Sequence, residues 1–182
     1  MTKLTLVSDT HERLKTIIRE RLPWLISGLV IGTGASFFVS RFEAVLTEKI
    51  SLAFFIPVIV YMSDAVGTQT ETIFVRDLTD HRANFGKYLK KEFSIGLVLG
   101  LILGISVGVI AFLWLRDADL ALTVGLAMGL NVSLAPLVAT IVPEFIFKSH
   151  NDPALGAGPF TTVIQDSISL LIYFVVASII LL

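Results

Sequence analysis

Asn151 to Leu182, NDPALGAGPFTTVIQDSISLLIYFVVASIILL, places one ionisable side chain, Asp166, inside an apolar run long enough to cross a bilayer. An aspartate at the centre of a membrane helix costs about 2.5 to 3.5 kcal/mol on insertion scales, so such residues face a protein interior or a water-filled path. Pro159, Thr162, Asp166, Ser169 and Tyr173 recur at spacings of three and four. That spacing predicts one polar stripe on a helix whose remaining surface suits lipid. Asp152, fourteen residues before Asp166, falls close to the same face near the membrane edge. A carboxylate that only hydrogen-bonds a neighbouring helix would account for Asp166 alone. A second helix with the same feature favours a functional site.

That second helix is Ser51 to Val75, SLAFFIPVIVYMSDAVGTQTETIFV. Pro57, Asp64, Thr68 and Glu71 stand at offsets of zero, seven, eleven and fourteen, again one helical face. No Lys or Arg lies between Lys49 and Arg76 to neutralise the two acids. Pro57 and Gly67 allow local unwinding, which membrane depth tolerates only where the freed backbone is buried or lines a cavity. Glu71 is close enough to the edge to be solvated. Asp64 is not.

Working outward, the 182 residues are 54% hydrophobic and 16% charged, with a net charge of -1, mean hydropathy +0.83 and the apolar residues in blocks. This is an all-α integral membrane protein of one domain. Pro23 to Val39 is a first span, with Trp24 as an interfacial anchor and Gly28 and Gly32 as a packing pair. Phe93 to Leu115 is a third, with Gly96, Gly100, Gly104 and Gly108 on one line for close helix approach. Leu120 to Val142 is a fourth, with Gly125 and Gly129, a kink at Pro136, and Asn131 set to hydrogen-bond between helices. Asn131-Val132-Ser133 matches a glycosylation acceptor pattern only by accident, since it lies within a span. Arg41 to Lys49 and Arg116 to Asp119 read as polar turns, and Arg76 to Lys91 as a basic loop.

Residues 1–21 form an N-terminal segment without the features of a cleavable signal peptide, and 22–182 the transmembrane domain. Asp9 to Arg21 has the pattern of a short amphipathic helix on the membrane surface, or of a solvated linker. With five spans, a cytoplasmic N-terminus puts eleven Lys and Arg inside against three outside. The positive-inside rule therefore sets the N-terminus inside and the C-terminus outside.

The chain has no cysteine, which excludes a disulfide framework and thiolate metal ligands. Two unneutralised carboxylates among hydroxyls and carbonyls suit a hard cation: Mg²⁺, Ca²⁺ or Mn²⁺. Mg²⁺ dehydrates reluctantly and is held by one or two carboxylates through retained waters, so a sparse pair is enough. A carboxylate proton relay is a competing use of the same residues. An intramembrane aspartyl protease would carry a Tyr-Asp pair and a Gly-x-Gly-Asp motif, whereas Met62-Ser63 precedes Asp64 and Ile164-Gln165 precedes Asp166. His11, His81 and His150 all lie outside the spans and form no metal triad or serine base. The protein is not expected to be an enzyme.

Several stretches carry a family likeness. They run from Arg21-Leu22-Pro23-Trp24-Leu25 through Phe55-Ile56-Pro57, Gly67-Thr68-Gln69-Thr70, Val75-Arg76, Lys91-Glu92 and Ala127-Met128 to Asn131. The most specific are Asp152-Pro153-Ala154, Gly158-Pro159-Phe160-Thr161-Thr162, Asp166 and Leu171-Ile172-Tyr173-Phe174. On these the chain resembles the membrane domain of MgtE-type magnesium channels, which share their architecture with the eukaryotic magnesium solute carriers. The resemblance implies a homodimer of five-helix protomers with a pore on the two-fold axis, lined by the second and fifth spans. It also implies that Asp166 belongs to a central site for largely hydrated Mg²⁺ and that Asp152 lies toward the cytoplasmic mouth.

Two departures stand out. The family's Gly-Gly-Asn-Ala-Gly-x-Gln is here Ser63-Asp64-Ala65-Val66-Gly67-Thr68-Gln69, which loses an amide and adds an acid. A dimer would then bring four carboxylates near the axis, and this could favour tighter binding or exchange over simple channel flow. Larger members carry cytosolic magnesium-sensing domains ahead of the membrane part, but twenty-two residues precede Pro23 here, so gating by such domains is not expected.

The reading is divalent cation transport, Mg²⁺ foremost with Ca²⁺ or Mn²⁺ as other cargo, by a homodimer in the plasma membrane. Asp166 and Asp64 form the expected central site, Asp152 and Glu71 the mouth, and Thr162, Gly67 and Thr68 the supporting oxygens. The partners are a second copy, the lipid bilayer and the cation, with no nucleic acid. A Na⁺ or H⁺ coupled exchanger and a non-conducting membrane scaffold or partner subunit are the alternatives.

Overall fold

The computed structural model describes residues 14–79, 84–149 and 153–182. Every regular element among them is helical. Helix α1 is Leu14–Val39; a 3₁₀ turn at Ser40–Phe42 leads into the short α2, Glu43–Glu48, and a second 3₁₀ stretch covers Ile50–Phe55. Then come α3, Ile56–Thr79; α4, Phe85–Leu115; α5, Ala118–Lys148; and α6, Pro153–Leu181. Five helical segments are long and apolar enough to cross a membrane.

The ends of these helices are set by polar chemistry in the loops. Helix α4 starts eight residues before the expected Phe93, because Asn84 caps it and accepts from the Lys87 N–H at 3.2 Å. It ends at Arg116, which takes a left-handed conformation at φ 55°. Asp117 then caps α5, accepting from the Leu120 N–H at 3.0 Å and pairing with Lys49. These two partners, the N–H foremost, hold the Asp117 carboxyl below the usual aspartate range. Its contribution is therefore present above an aspartate's ordinary pKa of about 3.9 and lost as pH falls through the depressed folded value. Asp117→Ala is expected to lower stability by about 1 kcal/mol at pH 7. In detergent melts the gap between variant and wild type should close below about pH 4.

Helices α4 and α5 meet backbone to backbone along the glycine line. A Cβ placed on Gly96 would lie 2.7 Å from the Ser133 carbonyl, and one on Gly104 2.7 Å from the Gly125 carbonyl. Small residues allow this approach, and in a bilayer it yields packing that lipid cannot match. Helix α5 also packs on α3 and α6, which makes it the centre of the bundle. It runs unbroken through Pro136 and Pro143 to Lys148, six residues past the expected end at Val142. The helix is held on several sides by its neighbours, and the Thr140 hydroxyl donates back to the Pro136 carbonyl at 2.6 Å.

Helix α1 lies on α6. Gly28 and Gly32 sit against Val163, and Trp24 covers Gly156 and meets the Phe160 ring edge-on at 6.1 Å. Trp24 is thus a packing residue between helices. The segment expected as a separate surface helix joins, from Leu14 onward, the same helix as the first span, with Pro23 inside it. Asp9 and Glu12 lie outside the described residues. The unwinding that Pro57 and Gly67 would allow in the second span does not occur. Helix α3 is continuous through Gly67, and Pro57 stands in its first turn, where its missing N–H has no helical partner to lose.

Candidate cation site

Helices α3 and α6 run antiparallel in a register fixed by side chains. The Tyr173 hydroxyl donates to the Leu52 carbonyl at 2.7 Å, and the Ser169 hydroxyl donates to Ser63 Oγ at 3.2 Å. Further along, the Gln165 amide lies on Gly67, and a Cβ on Gly158 would come 3.9 Å from Glu71 Oε1. Helix α5 ties into the same layer: Asn131 Nδ2 donates to the Ser169 carbonyl at 3.2 Å, and Ser63 Oγ donates to the Asn131 carbonyl at 3.4 Å. Asn131 thus makes the interhelical hydrogen bonds its place in the fourth span suggested.

This register brings Asp64 and Asp166 to nearly the same depth. Asp64 acts electrostatically on both Asp166 and Glu71. On α3, Thr68 is exposed while Asp64 and Glu71 are half-buried, so this polar line faces away from the bundle's packed interior. Thr162 and Asp166 on α6 are half-buried beside it, and Asp166 Oδ1 has no hydrogen-bond partner among the described residues. No basic residue occurs in α3 before Arg76 or anywhere in α6. The outcome, among the described residues, is an acidic face on two adjacent membrane helices.

The expected stripe on α6 needs one correction. Ser169 and Tyr173 are 1% and 0% exposed and buried within the helical bundle, together with Thr161 and Gln165 at 2% each. The buried polar row is Thr161, Gln165, Ser169 and Tyr173, every fourth residue, while Thr162 and Asp166 occupy the neighbouring face. Thr161 and Gln165 are the polar residues that spacing alone passed over. Gly67 serves close approach to α6, since a Cβ there would collide with the Gln165 amide. Thr68 lies in the helix, where its carbonyl accepts the Thr72 hydroxyl at 2.8 Å. Asp152 lies outside the described residues. Among those described, no three His, Asp or Glu residues gather as a metal-ligand cluster.

Tyr173→Phe leaves the Leu52 carbonyl without its donor and is expected to cost about 1 to 2 kcal/mol in detergent unfolding.

Comparison with known proteins covers the same helices. Residues 56–176 match the MgtE family profile, described as divalent cation transporter. The magnesium transporter MgtE of Enterococcus faecalis is 32% identical over 175 residues, which is 94% of this chain and 39% of that protein. That of Bacillus subtilis is 32% identical over 161 residues, 87% of this chain and 36% of the relative. That of Thermus thermophilus is 33% identical over 168 residues, with 88% and 36% covered. The chain spans less than two fifths of the length of each of these relatives.

Proposed function

Since the chain belongs to the MgtE family of divalent cation transporters, we propose that it carries a divalent cation, Mg²⁺ foremost, across the plasma membrane. The observation that carries this reading is the acidic face of α3 and α6: Asp64 lies near Asp166 on one side and Glu71 on the other, with no basic residue in α3 before Arg76 or anywhere in α6. Carboxylates facing lipid would be costly, so such a face calls for water, a cation or a second copy across it. A homodimer meets all three needs, with two such faces enclosing a path on the two-fold axis. Asp166 and Asp64 hold the ion at mid-depth and Thr162 supports them. Asp152, Glu71 and Thr68 serve toward the mouth, and Gly67 admits α6 closely enough to set the depth of the carboxylates.

Residues 22–182 act as the transport domain and 1–21 as a cytoplasmic segment, with the N-terminus inside, as the charge asymmetry supports. The role is transport and not catalysis. Mg²⁺ suits a site of few carboxylates because it keeps several of its waters when bound.

Purified protein in liposomes is expected to admit Mg²⁺ down its gradient, as followed with a trapped indicator, more readily than Ca²⁺ or Mn²⁺ and without a Na⁺ or proton gradient. A strict requirement for either gradient would assign coupled exchange instead. Absence of uptake under every gradient would leave a scaffold or partner subunit.

A further inference from the structure

Gln165 is 2% exposed, yet neither its Oε1 nor its Nε2 has a hydrogen-bond partner among the described residues. One helical turn earlier, the Thr161 hydroxyl is equally buried and lies beside the Glu71 carboxylate. Buried polar groups are nearly always paired, and an unpaired one costs the protein its full desolvation penalty. A leucine or methionine would fill the same space without that cost. The fold nevertheless makes room for this amide, because Gly67 on α3 carries no Cβ where the carboxamide lies.

The position explains the expense. Gln165 immediately precedes Asp166, and Gly67 follows Asp64 by three residues on the same helix. The amide therefore lies in the seam between the two helices that carry the carboxylates. A cation held between Asp64 and Asp166 sits over that seam. A hydrated divalent ion presents water protons in every direction, toward the seam as well as toward the carboxylates, and those protons need acceptors.

We propose that Gln165 is a specificity-determining residue of the cation path, accepting hydrogen bonds from the ion's retained waters on the protomer side. This rests on the transport reading above. It adds a neutral outer-sphere contact that favours ions which keep their water over ions that shed it.

The test uses cobalt(III) hexaammine, a cation with the outline of hydrated Mg²⁺ whose ammine ligands donate hydrogen bonds and do not exchange. It is added as a blocker of Mg²⁺ uptake by liposomes containing wild type, Gln165→Leu or Gln165→Met. Both substitutions fill the notch at Gly67, so either one serves if the other fails to fold. The expected result is a half-blocking concentration raised about fivefold to tenfold, the size of one lost hydrogen bond. The melting temperature in detergent should be equal to or above that of wild type, because a buried unpaired amide has been removed. A space-filling role predicts the reverse, with unchanged block and a lower melting temperature, and that result would overturn the inference. Wild type that takes up no Mg²⁺ defeats the transport reading and this inference with it. Uptake by wild type with unaltered block in a folded variant defeats the inference alone.

Discussion

Asp166→Asn is expected to reduce Mg²⁺ uptake by at least tenfold, toward the level of protein-free liposomes, while the protein stays folded. A unit charge about 5 Å from a divalent ion at an effective dielectric of 20 is worth about 7 kcal/mol before opposing costs are counted. If a third of that survives, the loss is roughly fortyfold. A two-fold axis would double the number of charges removed. Stability should not follow activity down, because Asp166 is half-buried, its Oδ1 is unpartnered among the described residues, and asparagine keeps the volume without the charge. Asp64→Asn should act in the same direction, since Asp64 is the carboxylate that acts on both Asp166 and Glu71. Glu71→Gln should cost less, as its proposed place nearer the mouth implies. If Asp64→Asn and Asp166→Asn combined left uptake intact, the acids would only be holding helices together.

The other large effect lies far from the ion. Gly104→Leu is expected to prevent recovery of folded protein, at a cost of at least about 3 kcal/mol, the upper end for forcing extra atoms into a packed interior. A single Cβ at this position would come 2.7 Å from the Gly125 carbonyl and 3.1 Å from the Gly129 backbone. Both are main-chain atoms of α5, so relief requires the two helices to separate along their glycine line. That separation also strips contacts at Gly96 and Gly100, which are seated against Ser133 and Gly129. Gly104→Ala should fall between wild type and leucine. Gly34→Ala on α1 is the control: a Cβ there meets nothing within 4 Å, so its melting temperature should match wild type or slightly exceed it. Yield of monodisperse protein and its melting temperature decide among these outcomes.

The five spans were legible because apolar blocks of that length have few other uses, and the glycine lines announced close packing correctly. Helix ends were less so. Asn84 and Asp117 set them from within polar loops, where a cap looks like any other polar residue. Glycine and proline were the ambiguous signals. At Gly67 the same residue could mean unwound backbone or a neighbour pressed close, and only the helix opposite shows that it means the second. The stripe on α6 was displaced by one residue at Thr161 and Gln165 for a related reason. Spacing of three and four identifies a face, but which of two adjacent faces turns inward depends on how α6 crosses α3 and α5. Asp64, Glu71 and Asp166 were singled out from sequence because an unneutralised acid in a membrane span is costly wherever it points. Gln165 is neutral and gave no such warning.

That the ion passes over the exposed side of α3 is the claim most open to direct attack, since the chain contains no native cysteine to confuse the chemistry. Thr68→Cys puts a thiol on that face, and Leu101→Cys, at a 65% exposed position on α4, puts one on lipid-facing surface. Each variant would be treated in liposomes with a cationic thiol reagent, and labelling confirmed by mass. The account predicts that labelling Thr68→Cys suppresses Mg²⁺ uptake and that external Mg²⁺ slows the labelling, while Leu101→Cys conducts as before. Full labelling of Thr68→Cys with undiminished Mg²⁺ uptake would contradict it.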